Sequence, residues 1–344
     1  MELYIYNRSL DLIGLIDVFD SLRWRRRYFQ PGEFELHLKY TAENVKLLEE
    51  DNIIARRDAN EAGIVEGISI DKDELAVKGR FLSSLTERRI VIKETILNTT
   101  AELAMRTLVR NMNKIPFLEL GELKNYTETV DLQVTYKNVC TTLTKIAKVS
   151  NIGYRVRFNR KNKELLFECY KGVSRSASQN VNPRAIFSEE FENVTDSKYS
   201  LENENYKTVA IVGGEGEGTA RVIVTVGDTT GLERRELFVD AKDIQKGDLT
   251  DNGYKALLIQ RGIEALAQAV KNETFESNVN LQSSLVYKKD FNLGDIVTCT
   301  NRAWNKAIDV RITEIEEVYE KGIITLTPTF GSPLPELKDI LKGE

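Results

Sequence analysis

Apolar and polar residues alternate along both ends of the chain, and helical spacing appears only in between. "ELYIYN" sets Leu3 and Ile5 on one face of an extended segment, with Tyr4 and Tyr6 on the other. "DLIGLIDVFDSLRWRRRYF" continues in this style. "QPGEFELHL" then joins a turn at Pro31 and Gly32 to alternation at Phe34, Leu36 and Leu38. A short helix is predicted over residues 42–48. Strands are predicted over 53–57, 64–70 and 75–81, with "DKDE" at 71–74 as a hairpin tip.

The period changes near residue 99. "TTAELAMRTLVRNMN" puts Ala101, Ala104, Met105, Leu108, Val109 and Met112 on one helical face, and Thr99 and Glu102 have capping-box spacing. A second helix, over 136–150, carries Val139, Leu143, Ile146 and Ala147. Asn151 and Gly153 can end it, and "YRVRF" and "ELLFECY" then form a hairpin. "GVSRSASQNVNPRA" reads as a linker. Strands return in "KTVAIVGG", "ARVIVTVG" and "RRELFVDA". One more helix, over 251–271, precedes the closing strand-like runs "DFNLGDIVTC", "AIDVRITEI" and "GIITLTPTF".

The closing runs resemble the segment that begins near residue 51. Asp51, Ile64 and Ile68 match Asp295, Ile308 and Ile312, since 295−51, 308−64 and 312−68 all equal 244. Leu75, Val77 and Phe81 match Ile324, Leu326 and Phe330 at a spacing of 249, which puts five extra residues in one hairpin. Any two meanders of short apolar strands can be aligned in this way. The sharper reading is two related β-barrels in one chain. The expected fold class is therefore mainly β with an α/β insert (α+β): two tube-like β-barrel domains plus a small helix/hairpin domain. The expected division is a first barrel at 1–95, a small α/β domain at 96–172, a second barrel region with one helix (about 251–271) at 173–335, with segment exchange between the two barrels left open, and a tail at 336–344.

Composition narrows the function classes. The 344 residues are 41% hydrophobic and 29% charged, as in folded domains. A formal charge of −5 disfavours wrapping of a phosphate backbone. Cys140, Cys169 and Cys299 are scattered and odd in number, which argues against a disulfide framework or structural zinc. No apolar run approaches a membrane span, and "MELYIYNRSLDLIG" lacks a signal-peptide pattern, so synthesis in the cytoplasm is expected.

The search for chemistry yields little. His37, the single histidine, points away from the apolar face of "FELHL", and any catalytic triad would have to use it. "VGGEGEGTAR" follows a strand like a dinucleotide loop, yet a strand rather than a helix comes next, and Glu215 and Glu217 would repel phosphate. Gly213, Gly214, Gly216 and Gly218 are instead expected to form a mobile loop at an assembly contact. "IDKDE" lacks the glycine and the distal glutamate of a calcium loop. "RWRRRY" sets Arg23, Arg25 and Arg27 on one face, which suits either a solvated or interfacial face or a nucleic-acid surface. No catalytic, cofactor or metal residue is assigned, and no enzyme activity is expected.

"LIGLIDVFDSLRWRRRYFQPGEFELHL", "GEGEGTARVIVTVGDTTGLERRELFVDA" and "DFNLGDIVTCTNRAWNKAIDVRITEIEEVYEKGIITLTPTFG" together resemble phage and prophage tail hub proteins, the siphophage gene-37-like family related to the T-even baseplate hub. The resemblance implies a homotrimeric ring at the tail tip, with two tube-like barrels per chain. Its implied partners are the tail tube or distal tail protein, the tape measure protein and a spike or fibre protein, with DNA present only in transit. It places the protein in the host cytoplasm during assembly and then in the tail of a virion or phage-like particle. The chain closes on "TFGSPLPELKDILKGE", so the peptidoglycan-cutting domain of some relatives is not expected. The rival readings are a cell-wall hydrolase with its site in the α/β unit, and a host-surface carbohydrate binder using exposed aromatics such as Trp304.

Overall fold

A computed structural model describes residues 1–331; the tail expected at 336–344 lies outside the described residues. The first segment forms β1 (Leu3–Tyr6), β2 (Leu12–Ile16), β3 (Ser21–Arg27), β4 (Glu33–Lys39), α1 (Ala42–Leu47), β5 (Ile53–Arg56), β6 (Ala62–Asp71) and β7 (Glu74–Phe81). Its strands lie in the order β3-β4-β7-β6-β5-β1-β2. Alternation sends Leu22, Trp24, Phe34, Leu36, Leu75 and Val77 into one core. Residues 71–74 are a hairpin tip, with Asp71 opposite Glu74 and Lys72 at φ 53°.

The middle segment comprises β8 (Ile90–Thr100), α2 (Ala101–Asn111), β9 (Leu118–Leu120), β10 (Thr129–Asn138), α3 (Val139–Ser150), β11 (Gly153–Asn159) and β12 (Glu164–Tyr170). The β8–β10 ribbon and the β11–β12–β9 sheet enclose the apolar faces of both helices. The cap of α2 is Thr100, whose hydroxyl accepts from the Leu103 amide, not the expected Thr99. Glu102 does not complete a capping box. Its carboxylate turns inward and accepts from the amides of Lys124 and Tyr126, so the ordering of a loop wins over the local motif. Asn151 ends α3 in the left-handed region at φ 56°.

The last segment contains β13 (Ile186–Phe187), β14 (Val194–Glu202), β15 (Val209–Gly213), β16 (Ile223–Val226), β17 (Glu236–Asp240), α4 (Asp251–Gln268), β18 (Asn272–Val279), β19 (Ile296–Asn301), β20 (Lys306–Glu320) and β21 (Ile323–Gly331). α4 covers the small β16-β15-β17 sheet through Tyr254, Leu257 and Leu258. The remaining strands run β14-β18-β21-β20, with β19 also on β20. The fold is mainly β with few helices. β20 pairs with β3, so strands from both ends join one 13-stranded sheet. Among the described residues no closed barrel forms.

Within that sheet one pattern occurs twice, as β3-β4-β7-β6-β5 and as β14-β18-β21-β20-β19. A row of directly paired residues crosses the first as Trp24, Phe34, Gly79 and Val65. The matching row in the second is Tyr199, Phe275, Phe330 and Ile312. Each copy has a bulge just after the row's last residue, between Val65 and Gly67 and between Ile312 and Glu314. Just before β5 and its counterpart β19 lies a left-handed residue, Asp51 at φ 66° and Gly294 at φ 92°. Their amides donate to the carbonyls of Val65 (2.9 Å) and Ile312 (2.8 Å), and the Val65 and Ile312 amides donate to the carbonyls of Asn52 (2.9 Å) and Asp295 (2.8 Å).

This geometry corrects the register expected from the sequence. Asp51 corresponds to Gly294 (294−51 = 243), one residue from the expected Asp295. Leu75 lies in the fourth pair past its bulge, where Leu326 rather than Ile324 lies in the second copy. The slip comes from unequal length: Asp51 to Val65 and Val65 to Gly79 each span 14 residues, whereas Gly294 to Ile312 and Ile312 to Phe330 each span 18, so no single spacing aligns the copies. Accordingly Leu75 and Leu326 are buried, whereas Ile68 and Ile324 are exposed.

Candidate assembly interface

The seam between the two copies is the most heavily charged strand pair of the sheet. Arg23, Arg25 and Arg27 of β3 face Val318, Glu316 and Glu314 of β20. Arg25 reaches Glu316 at 2.7 Å and Glu33 at 3.1 Å, and Arg27 reaches Glu33 at 2.9 Å and Glu314 at 3.1 Å. The "RWRRRY" basic face is therefore neutralised by carboxylates of its own chain, which is the interfacial alternative left open by the sequence. Burial pushes the Glu314 carboxyl up, against the pull of Arg27 and Arg25.

On the opposite face of the seam sits a fully buried arginine. Arg56 of β5 reaches Asp58 at 2.6 Å, Glu317 at 2.9 Å and the Tyr319 hydroxyl at 2.7 Å, and lies over the rings of Trp24 and Tyr319. Burial alone would lower its pKa, but hydrogen bonding to Asp58 and the charge of Glu317 raise it. Asp58 is lowered to about 2, because Arg56 outweighs its partial burial. A second buried pair, Arg26 with Glu61 at 2.6 Å, also bonds Tyr287 of the last segment at 2.9 Å. Charges held this way cost desolvation and return it only when every partner is in place, so they fix how the copies join. Tyr28 adds a wedge. Its ring lies where Cβ atoms on Gly153 and Gly294 would clash, at 2.5 and 2.3 Å, so the insert and the second copy both close on it.

Several strand edges in the same sheet have no strand partner among the described residues, that of β2, which pairs only with β1, among them. β14 pairs only with β18, and β6 beyond its bulge pairs only with β7. Their exposed apolar side chains are Leu201, Ile68 and Ile70.

The residues singled out from the sequence are not brought together. Gly213 ends β15, and its loop leads through a short turn into β16, with no helix to present its amides to a phosphate. The Arg221 guanidinium donates to the carbonyls of Gly213 (2.7 Å) and Gly214 (3.0 Å), and the Glu215 amide donates to the Tyr254 hydroxyl (2.6 Å). Gly216 and Gly218 have φ of 100° and 53°, which explains glycine there. His37 bridges Glu74 (2.5 Å) and Glu35 (3.0 Å), and hydrogen bonding to Glu74 and then Glu35 raises its pKa. All three cysteines are buried free thiols. Burial pushes each up, Cys169 to about 12, away from the thiolate form. Trp304 lies in the β19–β20 turn, partly exposed, with its ring 6.0 Å from that of Phe275. Among the described residues, no helix is long and apolar enough to cross a membrane. The seam itself escaped the sequence reading: the alternation of "RWRRRY" marked one partner, but nothing marked Glu314 and Glu316, almost 300 residues away.

Comparison with known proteins bears on this arrangement. The family described as Siphovirus ReqiPepy6 Gp37-like protein matches residues 2–332. Three solved structures share the fold across nearly their whole length. The prophage MuSo2 43 kDa tail protein from Shewanella oneidensis is 10% identical, with a TM-score of 0.61 and coverage of 96% of this chain and 98% of that one. The tail protein from Neisseria meningitidis MC58 is 11% identical, with a TM-score of 0.58 and 96% coverage of both chains. Prophage tail protein gp18 from Listeria monocytogenes EGD-e is 13% identical, with a TM-score of 0.57 and coverage of 99% and 98%. No curated protein matches the sequence.

Proposed function

The chain belongs to the Siphovirus ReqiPepy6 Gp37-like protein family, and on that premise we propose that it is a structural hub of a phage or phage-like tail tip. Three copies form a ring that joins the tail tube to a spike or fibre module. The observation that carries this reading is the doubled five-strand pattern, joined through the β3–β20 seam into one sheet. A chain holding two equivalent units closes a six-unit ring with three copies, which suits a junction between sixfold and threefold parts. The open sheet of the single chain then becomes a tube-like barrel wall only in the ring, where outer edges meet neighbours.

The domain division at 1–95, 96–172 and 173–335 belongs to the same proposal, with the middle unit and the α4 unit projecting from the wall. Gly213 to Gly218 is assigned to a contact with a neighbouring tail protein. The partners are the tail tube or distal tail protein, the tape measure protein and the spike or fibre protein, and DNA passes only in transit. The product is a scaffold without catalysis. Support comes from three buried, protonated cysteines and from a sole histidine engaged by two glutamates rather than by a nucleophile.

The test is immunogold labelling of particles with antibody to this chain. Label confined to the tail tip is expected, and label along the tube or absence from the particle would contradict the hub. Reproducible clearing of a cell-wall gel by repurified protein would revive the hydrolase.

A further inference from the structure

The internal seam predicts its external counterpart. In the seam, Ile315 of β20 lies opposite Arg26 of β3. Ile315 is three residues past Ile312, and Arg26 is two past Trp24. The same steps taken in the other copy, from Val65 and Tyr199, arrive at Ile68 of β6 and Leu201 of β14. Both lie on strand edges that have no strand partner among the described residues, β14 and the part of β6 beyond its bulge. We propose that β14 of one copy of this chain pairs antiparallel with β6 of the next, with Leu201 opposite Ile68. This rests on the ring reading above and adds to it the strands and the register.

Extending that register gives Glu202 opposite Gly67, Ser200 opposite Ser69, Tyr199 opposite Ile70 and Lys198 opposite Asp71. Every pair is compatible. Ile68, Ile70, Tyr199 and Leu201 fall on one face, and three of the four are exposed in the single chain at 41%, 50% and 45% for Ile68, Ile70 and Leu201. Burying them is favourable at roughly 25 cal/mol per Å². On the other face Lys198 meets Asp71, an opposite-charge pair that favours this register. A slip by one residue would turn Leu201 and Tyr199 to the face of Ser69 and Asp71 and leave the isoleucines uncovered. The counterpart face of the internal seam carries Trp24, Ile315 and Glu317, all buried. The external seam thus repeats the geometry with an apolar face in place of an ionic one.

The experiment is disulfide trapping in the full chain. Directly opposed antiparallel residues have Cα atoms about 4.5–5.5 Å apart, within disulfide range. Cys140, Cys169 and Cys299 are buried and do not compete. Under oxidation, Ile68→Cys with Leu201→Cys shifts the non-reducing band to linked forms that stop at three chains. The shifted pair, Ser69→Cys with Leu201→Cys, stays at background. Linked forms running past three would keep the strand pairing and overturn the ring of three. Trimers without a bond in the matched pair, or bonds equally frequent in the shifted pair, would overturn the register and leave the ring standing. Absence of both association and bonds would overturn the pairing. Hydrogen exchange on the unaltered chain gives an independent reading: protection at 67–71 and 198–202 rises together with concentration, and exchange that stays unchanged while copies associate overturns the proposal.

Discussion

β3 and β14 hold the same place in two copies of one strand pattern, yet β3 lies inside the sheet and β14 ends it. The partner makes the difference. β3 has β20 on its outer side, and there the seam is ionic, with Arg25 on Glu316 and Arg56 buried against Glu317. β14 carries Leu201 into solvent. A permanent contact within one chain can hold buried charges, since the chain supplies every partner at once. A contact that must first exist as a free edge is better made of apolar groups and one exposed ion pair, because unpaired buried charge is strongly unfavourable.

Removing the charge at the internal seam breaks this comparison most forcefully. Arg56→Ala leaves the buried Glu317 and the partly buried Tyr319 without their cation, and is expected to cost about 3–5 kcal/mol in chemical denaturation. Replacing both partners by apolar residues, Arg56→Met with Glu317→Leu, should recover most of that loss. A single variant as stable as the parent would mean that the pair does not hold the copies together.

The two left-handed corners sharpen the comparison next. Gly294→Ala puts a Cβ 2.3 Å from the Tyr28 ring at φ 92°, and is expected to cost about 2–3 kcal/mol. Asp51 already carries a side chain at the equivalent corner. Asp51→Ala should cost about 1 kcal/mol or less, through lost pairing with Arg8 and Arg88. Thermal melts of both variants decide this, and equal losses would break the equivalence of the corners.

The smallest effect is at His37 on β4. Hydrogen bonds to Glu74 and Glu35 raise its folded pKa above the ordinary value of about 6.5. The associated stability is fully present below that ordinary value and is lost as pH rises through the folded value. An NMR titration of this sole histidine should give a midpoint above 6.5, moving down in Glu74→Gln. A midpoint at or below 6.5 would mean that the bridge does not persist in solution.

Much of the scaffold was legible because its signals are local. Alternation marked β4 to β7, helical spacing marked α2, α3 and α4, and "DKDE" marked a hairpin tip. β14 and β18 escaped, because "VTDSKYSLE" and "NETFESNV" are polar on one face and thinly apolar on the other. Once Phe34 and Phe275 are matched, "FELHL" and "FESNV" fall into register, but segments of unequal length between the copies hide that match from any single spacing. The repeat was therefore visible while its register was off by one to three residues. The β3–β20 seam joins residues almost 300 positions apart, and nothing near Arg25 names Glu316 as its partner.

The central claim is that the outer edges of this chain meet as its inner edges do. The most direct measurement is a cryo-EM structure of the assembled tail tip at a resolution that shows side chains. The account predicts three copies, six equivalent strand units around the axis, and β14 of each copy on β6 of the next with Leu201 opposite Ile68. Six copies in the ring, or copies joined through surfaces other than these two edges, would contradict it.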